Sequence, residues 1–467
     1  MESTRWLAIG FCLMGIAALT REVGGGNVPP FQGLGDLPGG SFHNEALALS
    51  DNGQRVVGRS SSTHSEEEGF IWSRLSGLAP LLGPGGTHVA GEPRGITPTG
   101  DVVAGKFVAS GGPLQAARWT EATGWIALPD IPGGQTGSQA LGISSDGNVL
   151  AGWGSSSAGL EAARWVNGNV VAMGDLSGGE YHSAAALVSD DGSTIVGTGY
   201  STFGGEVFVW KAGTGMVGLG DLPGGDFSSE PFGMNGDASV IAGKASSSQG
   251  PEAMRWKQAG GMQGLGDLPG GAFESIALDV SADGRSVVGF GTTDLGQEAF
   301  LWTETHGMRP ILDILLEMGM TEPVGWQLTE ATGISAGGDV VIGNGINPSG
   351  QSEGWIAVLR GPVAAGWEPL RTGPLVLSRP TPNPSEGRVE LRFHVPRTER
   401  QRRVTLDVFD VAGAHVMRLY DGVPPSDHVT VTWNGLRVDG SRVGAGLYFA
   451  MLQSENARRS ALIVRLQ

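Results

Sequence analysis

Tryptophan recurs at Trp72, Trp119, Trp165, Trp210, Trp256 and Trp302, at intervals of 45–47 residues. A period of this size marks a repeat architecture, in which each unit buries its apolar face only against its neighbours. The phrase Gly-Asp-Leu-Pro-Gly-Gly keeps the same period, beginning at Gly35, Gly220 and Gly266, with weaker copies from Asp130 and Asp175. Each period holds four short strand-like runs, as in Ser275–Ser281, Ser286–Gly291, Glu298–Trp302 and Gly307–Leu312. Between the first two lies Ala282-Asp283-Gly284, which supplies the positive φ that a tight hairpin needs.

Composition closes off the alternatives. The chain has 80 Gly and 26 Pro in 467 residues. Inside a helix these cost about 1 and about 3 kcal/mol each, so long helices are excluded. The glycines follow no three-residue period, which excludes collagen, and 40% apolar residues suffice for a packed core. An all-β chain of short strands and tight turns remains.

Counting the runs sets the architecture. The first run recurs seven times, ending near Ser50, Thr97, Ser144, Ser189, Asn235, Ser281 and Ser335. The second, of the type Val56-Val57-Gly58, and the third, of the type Glu298-Ala-Phe-Leu-Trp302, also recur seven times. The fourth follows a third run only six times, and its seventh copy is Phe31–Gly35 at the beginning. This offset predicts a closed ring in which the N-terminal strand completes the last sheet: a seven-bladed β-propeller over 28–360. An open solenoid is the alternative, but it requires polar caps that neither terminal unit resembles. The tryptophans are expected between neighbouring blades.

The formal net charge is −17. From Pro362 onward there are 14 Arg and no Lys against 10 acidic residues, about +4, which leaves about −21 on the first 361. Such an acidic surface repels nucleic acid and anionic lipid. Arg5 is followed by 14 apolar residues, Trp6–Leu19, and then by Thr20-Arg21-Glu22. That pattern over 1–20 suits a cleavable export signal and is short for a membrane span, so no transmembrane segment is expected in the mature chain. The single cysteine, Cys12, lies inside it, which leaves the exported chain without disulfides or thiol chemistry.

A linker is read at 361–376, followed over 377–467 by alternating strands with turns every 8–12 residues, the pattern of a β-sandwich. The two parts carry two resemblances. Gly-Leu-Gly-Asp-Leu-Pro-Gly-Gly, the Asp-Gly hairpins, Val-Val-Gly, Glu298-Ala-Phe-Leu-Trp302 and the closing Gly325–Ile334 segment resemble the extracellular HAF-repeat family. The histidine for which that family is named is replaced here by Glu68, Gln115, Glu161, Glu206, Glu252, Glu298 and Glu353, so no role of that histidine carries over. In the tail, Pro382-Asn-Pro384, Phe409-Asp-Val-Ala-Gly413, Trp433-Asn-Gly435 and Gly444–Phe449 are similar to FlgD-like immunoglobulin-like domains and to type IX secretion C-terminal sorting tails. These resemblances imply a secreted or outer-surface protein of a Gram-negative-type bacterium. Its tail would be read by type IX-like secretion machinery, and its ring would bind an unidentified glycan or protein.

No constellation for catalysis, cofactor or metal is read from the residues, and none is assigned. The repeated Glu is expected to accept hydrogen bonds from its own turn or the neighbouring blade rather than to bind cations. The Asp-Gly turns at Asp146, Asp191 and Asp283 lack the alternating acidic ligands of a calcium loop and are read as hairpin geometry. Asp36, Asp130, Asp175, Asp221 and Asp267 are expected to close the inter-blade turns. Histidine is sparse, with His43 and His182 at equivalent positions and His88 near them. The reading is a non-enzymatic binding or adhesion scaffold. The alternative is a carbohydrate-active hydrolase or lyase, whose site would lie beside the irregular Asp313–Trp326 insertion carrying Glu317 and Glu322.

Overall fold

The computed structural model describes residues 30–359 apart from 109–111, and residues 376–466 apart from 378–379, 381, 384, 386, 396–401, 412, 426–427 and 455–457. The export segment and all but the last residue of the linker fall outside the described residues.

Over 30–359 the chain makes consecutive antiparallel sheets in which the first, second, third and fourth strands pair in order. The first begins with Gly39–Leu49, Arg55–Ser62, Glu68–Ser73 and Gly77–Pro80. The sheets beginning at Gly178 and Gly224 are joined by one parallel bridge, Gly205 to Ser228. The first strand of every sheet packs on that of the next, and Gln327–Ile334 of the last packs on Gly39–Leu49 of the first. The sheets therefore form a closed ring, a β-propeller. At the seam Phe31–Gly33 pairs antiparallel with Ser352–Val358, Phe31 opposite Ala357, so the N-terminal strand is the outer strand of the last sheet.

Two local features recur around the ring. Each first strand carries a bulge, with register shifts at Ala46/Ala48, Ala185/Leu187 and Ala277/Asp279 among others. A bulge bends and twists the strand, and here it turns the inner strands around a central channel. Opposite the bulge stands the glycine of the Val-Val-Gly motif. A Cβ at Gly58, Gly197 or Gly289 would lie 1.9–2.1 Å from a first-strand carbonyl oxygen, so the backbone approach admits no side chain.

The core lies between sheets. Trp302 packs with Val240 and Ala242 of the preceding sheet, and the Arg255 guanidinium lies 4.5 Å over its ring. Arg164 and Trp210 make the same contact at 4.4 Å. At the seam Leu34, Val56, Phe70 and Trp72 pack with Val340, Ile342 and Ile356. The insertion in the last unit contains a helix, Ile311–Glu317, whose Ile311, Ile314 and Leu315 are buried with Phe31, Trp326 and Trp355.

The tail forms two antiparallel sheets. One contains Val376–Leu377, Val389–His394 and His428–Trp433; the other contains His415–Gly422, Val404–Asp410, Gly446–Gln453 and Arg458–Arg465. They share one apolar cluster that includes Leu391, Phe393, Leu406, Val408, Trp433 and Ala450. Among the described residues none of these strands pairs with the ring, and no helix is long and apolar enough to cross a membrane.

Phe31 is buried, 5.4 Å edge-on from Trp326 and stacked 6.0 Å from Trp355. Phe31→Ala is expected to lower unfolding free energy by about 3–5 kcal/mol, measured by urea denaturation. An unchanged midpoint would show that the seam strand does not hold the ring.

Candidate functional site

Four of the six repeated glutamates are consumed in holding adjacent sheets together. Glu161, Glu206, Glu252 and Glu353 accept the backbone N–H of Gly174, Gly220, Gly266 and Gly35 at 2.8–3.0 Å. The carbonyls of Gly174, Gly220 and Gly266 accept from Ser183, Ser229 and Ser275 at the start of the next sheet, each at 2.7 Å. Those same hydroxyls accept the N–H of Ala162, Val207 and Ala253 from the preceding sheet at 2.9–3.1 Å. Asn44 performs both tasks at the seam. Gln115 stands in for the Glu at one junction and reaches Asp130 at 3.5 Å. Each junction of this kind thus satisfies polar groups that would otherwise be buried without partners.

The turn aspartates serve the same purpose. Asp175, Asp221 and Asp267 accept the N–H of His182, Ser228 and Glu274 at 2.8–3.0 Å, and Asp36 and Asp130 accept from Ser60 and Ser138. In the Asp-Gly hairpins each carboxylate bonds within its own turn. Asp191 accepts from Ser189 and Ser193, chiefly Ser189, and its carboxyl is pulled down to about 2. Gly192 supplies the left-handed position, with φ 70°.

What remains for function lies in three places, two where the repeat is broken and one that rides on it. At one end of the central channel, a cavity of about 210 Å³ is lined by the ends of the first strands and by Asp51 and Asp279. Asp279 stands on the bulge, where other units have Gly142, Leu187 or Gly333. Burial pushes its carboxyl up to about 7, against the opposing effect of the Ile334 and Val280 N–H donors, and Asp51 adds to the rise. Asp51 is itself raised by burial and by the charge of Asp190.

The second place is the insertion. Glu298 occupies the latch position, but the helix replaces its glycine donor. Burial raises its carboxyl, opposed by a Thr293 hydrogen bond, and the nearby Asp313 charge raises it further. Glu317 is held by Arg309 at 2.6 Å.

The third is the rim. The crossovers between sheets and the hairpins joining second to third strands lie at one end of the ring. Two residues after five of the six crossover Gly-Gly pairs, this end carries Phe42, His88, Tyr181, Phe227 and Phe273; Thr136 follows the sixth. Hairpin tips add His64 and Phe203, and Phe203 is 75% exposed. Phe203 and Phe227 lie 5.5 Å apart, and His182 meets Tyr200 edge-on at 5.4 Å. His64, Glu68 and His88 come together on the same end.

The expected roles of the repeated Glu and Asp thus agree with the geometry. The aromatic rim, Asp279 and the meeting of His64 with His88 were missed. The rim was legible in the recurring Gly-Gly-x-aromatic spacing. The other two depend on a bulge register and on a contact between separate loops.

No protein-family model and no curated protein sequence matches the chain. Among solved structures, the Dos1 propeller is similar at 10% identity and TM-score 0.39, over 68% of this chain and 93% of that one. A prolyl endopeptidase structure is similar at 11% identity and TM-score 0.42, over 78% of this chain and 54% of that one. Porphyromonas gingivalis dipeptidyl peptidase 4 is similar at 9% identity and TM-score 0.37, over 82% and 64%. The chain therefore spans less than two thirds of either peptidase chain, and its fold assignment rests on its own strand pairing.

Asp279 titrates near 3.8 when free and at about 7 in the fold. The folded protein therefore binds this proton more tightly. The stability that it contributes is complete below about pH 4 and is lost as pH rises through about 7. Asp279→Asn removes this loss, so its unfolding free energy relative to the parent should rise by about 1–2 kcal/mol between about pH 5 and about pH 8, channel water screening the rest. A difference that stays flat with pH, in paired urea titrations, contradicts the assignment.

Proposed function

We propose that the chain is a secreted or cell-surface, non-enzymatic binding protein of the HAF-repeat kind, a seven-bladed propeller over 28–360 whose rim engages a glycan. The observation that carries this reading is the aromatic rim. Soluble proteins seldom leave such groups in a series on one face without a partner. Aromatic faces carry negative electrostatic potential, to which the polarised C–H faces of a sugar ring are complementary. Acidic and amide side chains beside them, such as Glu180, Asp226 and Gln249, suit hydroxyl donors. The latches support the reading because they commit the repeated carboxylates to structure.

The tail over 377–467 is, in the same proposal, an immunoglobulin-like sandwich that type IX-like secretion machinery reads as an address. Its separate strand pairing and its own apolar cluster support this role. Removing 377–467 should leave a folded ring in the periplasm of the native host, as fractionation would show. A truncated chain that still reaches the surface or the medium overturns the sorting role and leaves the ring untouched.

A second reading, a polysaccharide hydrolase or lyase, is favoured only by the raised Glu298 beside Asp313. One experiment separates the two. A glycan array followed by affinity electrophoresis on the best polysaccharide should show retention without turnover. Phe203→Ala and Tyr181→Ala should each weaken retention about tenfold, a loss of ~1.4 kcal/mol. Product accumulation that Glu298→Gln abolishes would establish the enzyme instead. Retention that ignores both rim substitutions would remove the rim from the account.

A further inference from the structure

We propose that His64, Glu68 and His88 form a binding site for a divalent transition-metal ion, with zinc the best match. Their candidate ligand atoms all lie within 4.8 Å of one another. The site occupies a junction at which the latch has been dismantled around a buried glutamate. Glu68 holds the latch position and is 1% exposed. The following crossover, Leu81-Leu82-Gly83-Pro84, has no Gly-Asp pair. Gly91, which pairs with Phe107, stands where five other junctions place Ser or Asn in the same register. The backbone donor and the hydroxyl that normally engage this carboxylate and its loop are therefore both missing.

Two imidazoles and a hydroxyl take their place. The Glu68 carboxylate accepts from Ser62 Oγ on one oxygen and meets His88 Nδ1 on the other. His64 stacks on His88, with ring centroids 3.6 Å apart and planes 5° from parallel. Ring electrostatics disfavour a face-to-face sandwich, so the arrangement is imposed by the two loops. The loop bearing His64 is well ordered by its own bonds. Ser62 Oγ accepts the N–H of His64 at 3.0 Å and of Ser65 at 3.3 Å, and Ser62 N–H bonds the Ser65 carbonyl at 2.8 Å.

The donor set selects the ion. Two neutral nitrogens and one carboxylate oxygen suit zinc, nickel or copper, whereas calcium and magnesium require a shell of oxygens. Zinc–ligand bonds of ~2.0–2.2 Å place tetrahedral donors ~3.4 Å apart. Metal binding requires the two exposed histidines to rotate, closing the donors from within 4.8 Å to that spacing. Ser62 then orients the carboxylate from the second shell. Three protein ligands leave a fourth position facing solvent on the rim, open to water or to an oxygen donor of a bound molecule.

Calorimetric titration of chelator-stripped full-length protein with zinc tests the site, and cobalt(II) absorption reports a tetrahedral nitrogen–oxygen set. One equivalent of zinc should bind, with magnesium and calcium unable to displace it. His64→Ala and His88→Ala should each weaken binding by about tenfold or more, and the double variant should abolish it. His182→Ala, on the same rim, should change nothing, and far-UV circular dichroism checks that each variant is folded. Absence of zinc binding, binding undiminished in the double variant, or sensitivity to one histidine alone overturns the three-ligand site.

Discussion

A closed ring of sheets is only as sound as its junctions, and the junctions here depend on one hydrogen-bonded latch. A glutamate from the third strand holds the crossover's N–H, and a serine or asparagine from the next sheet holds the crossover's carbonyl while accepting a third-strand N–H. Hydrogen bonds to charged groups contribute about 1.5–3 kcal/mol and neutral ones about 1, while a buried group left unmade costs more. The latch therefore enforces the spacing between sheets as well as adding to stability. Tryptophan and arginine fill the gap that this spacing sets, as Arg255 over Trp302 illustrates.

Once the latch is recognised, the distribution of function follows from it. A carboxylate that secures a junction is not available for other chemistry, so other roles must arise where the repeat departs from itself. The Glu68 junction exchanges its latch for two histidines. The Glu298 junction exchanges it for a helix that brings Asp313 near. Asp279 inserts a carboxyl into the channel wall at the bulge position. The rim aromatics are different, since they ride on the repeat and are tolerated because their crossover position meets solvent.

Much of this was legible in the chain itself. The Trp period and the extra N-terminal fourth strand gave the strand order of the sheets and the closure of the last sheet by the N-terminal strand, because they are matters of count and order. The repeated Glu could be read as structural because six carboxylates at equivalent positions do not make an asymmetric pocket. The recurrence of glycine in Val-Val-Gly was visible in the sequence, but its physical reason, the carbonyl it faces across a bulge, was not. The meeting of His64 and His88 was illegible because it joins a hairpin tip to a crossover 24 residues away, with no shared period.

Amide hydrogen exchange on the native protein tests the latch most directly. The N–H groups of Gly174, Gly220 and Gly266 lie in loops, yet each is held by a buried or half-buried glutamate. With Ala162, Val207 and Ala253 they should exchange only through opening of the ring, with protection close to that of the second-strand amides. Exchange of the three glycines as fast as that of the exposed hairpin tips would contradict the account, because the junctions would then be held by side-chain packing alone.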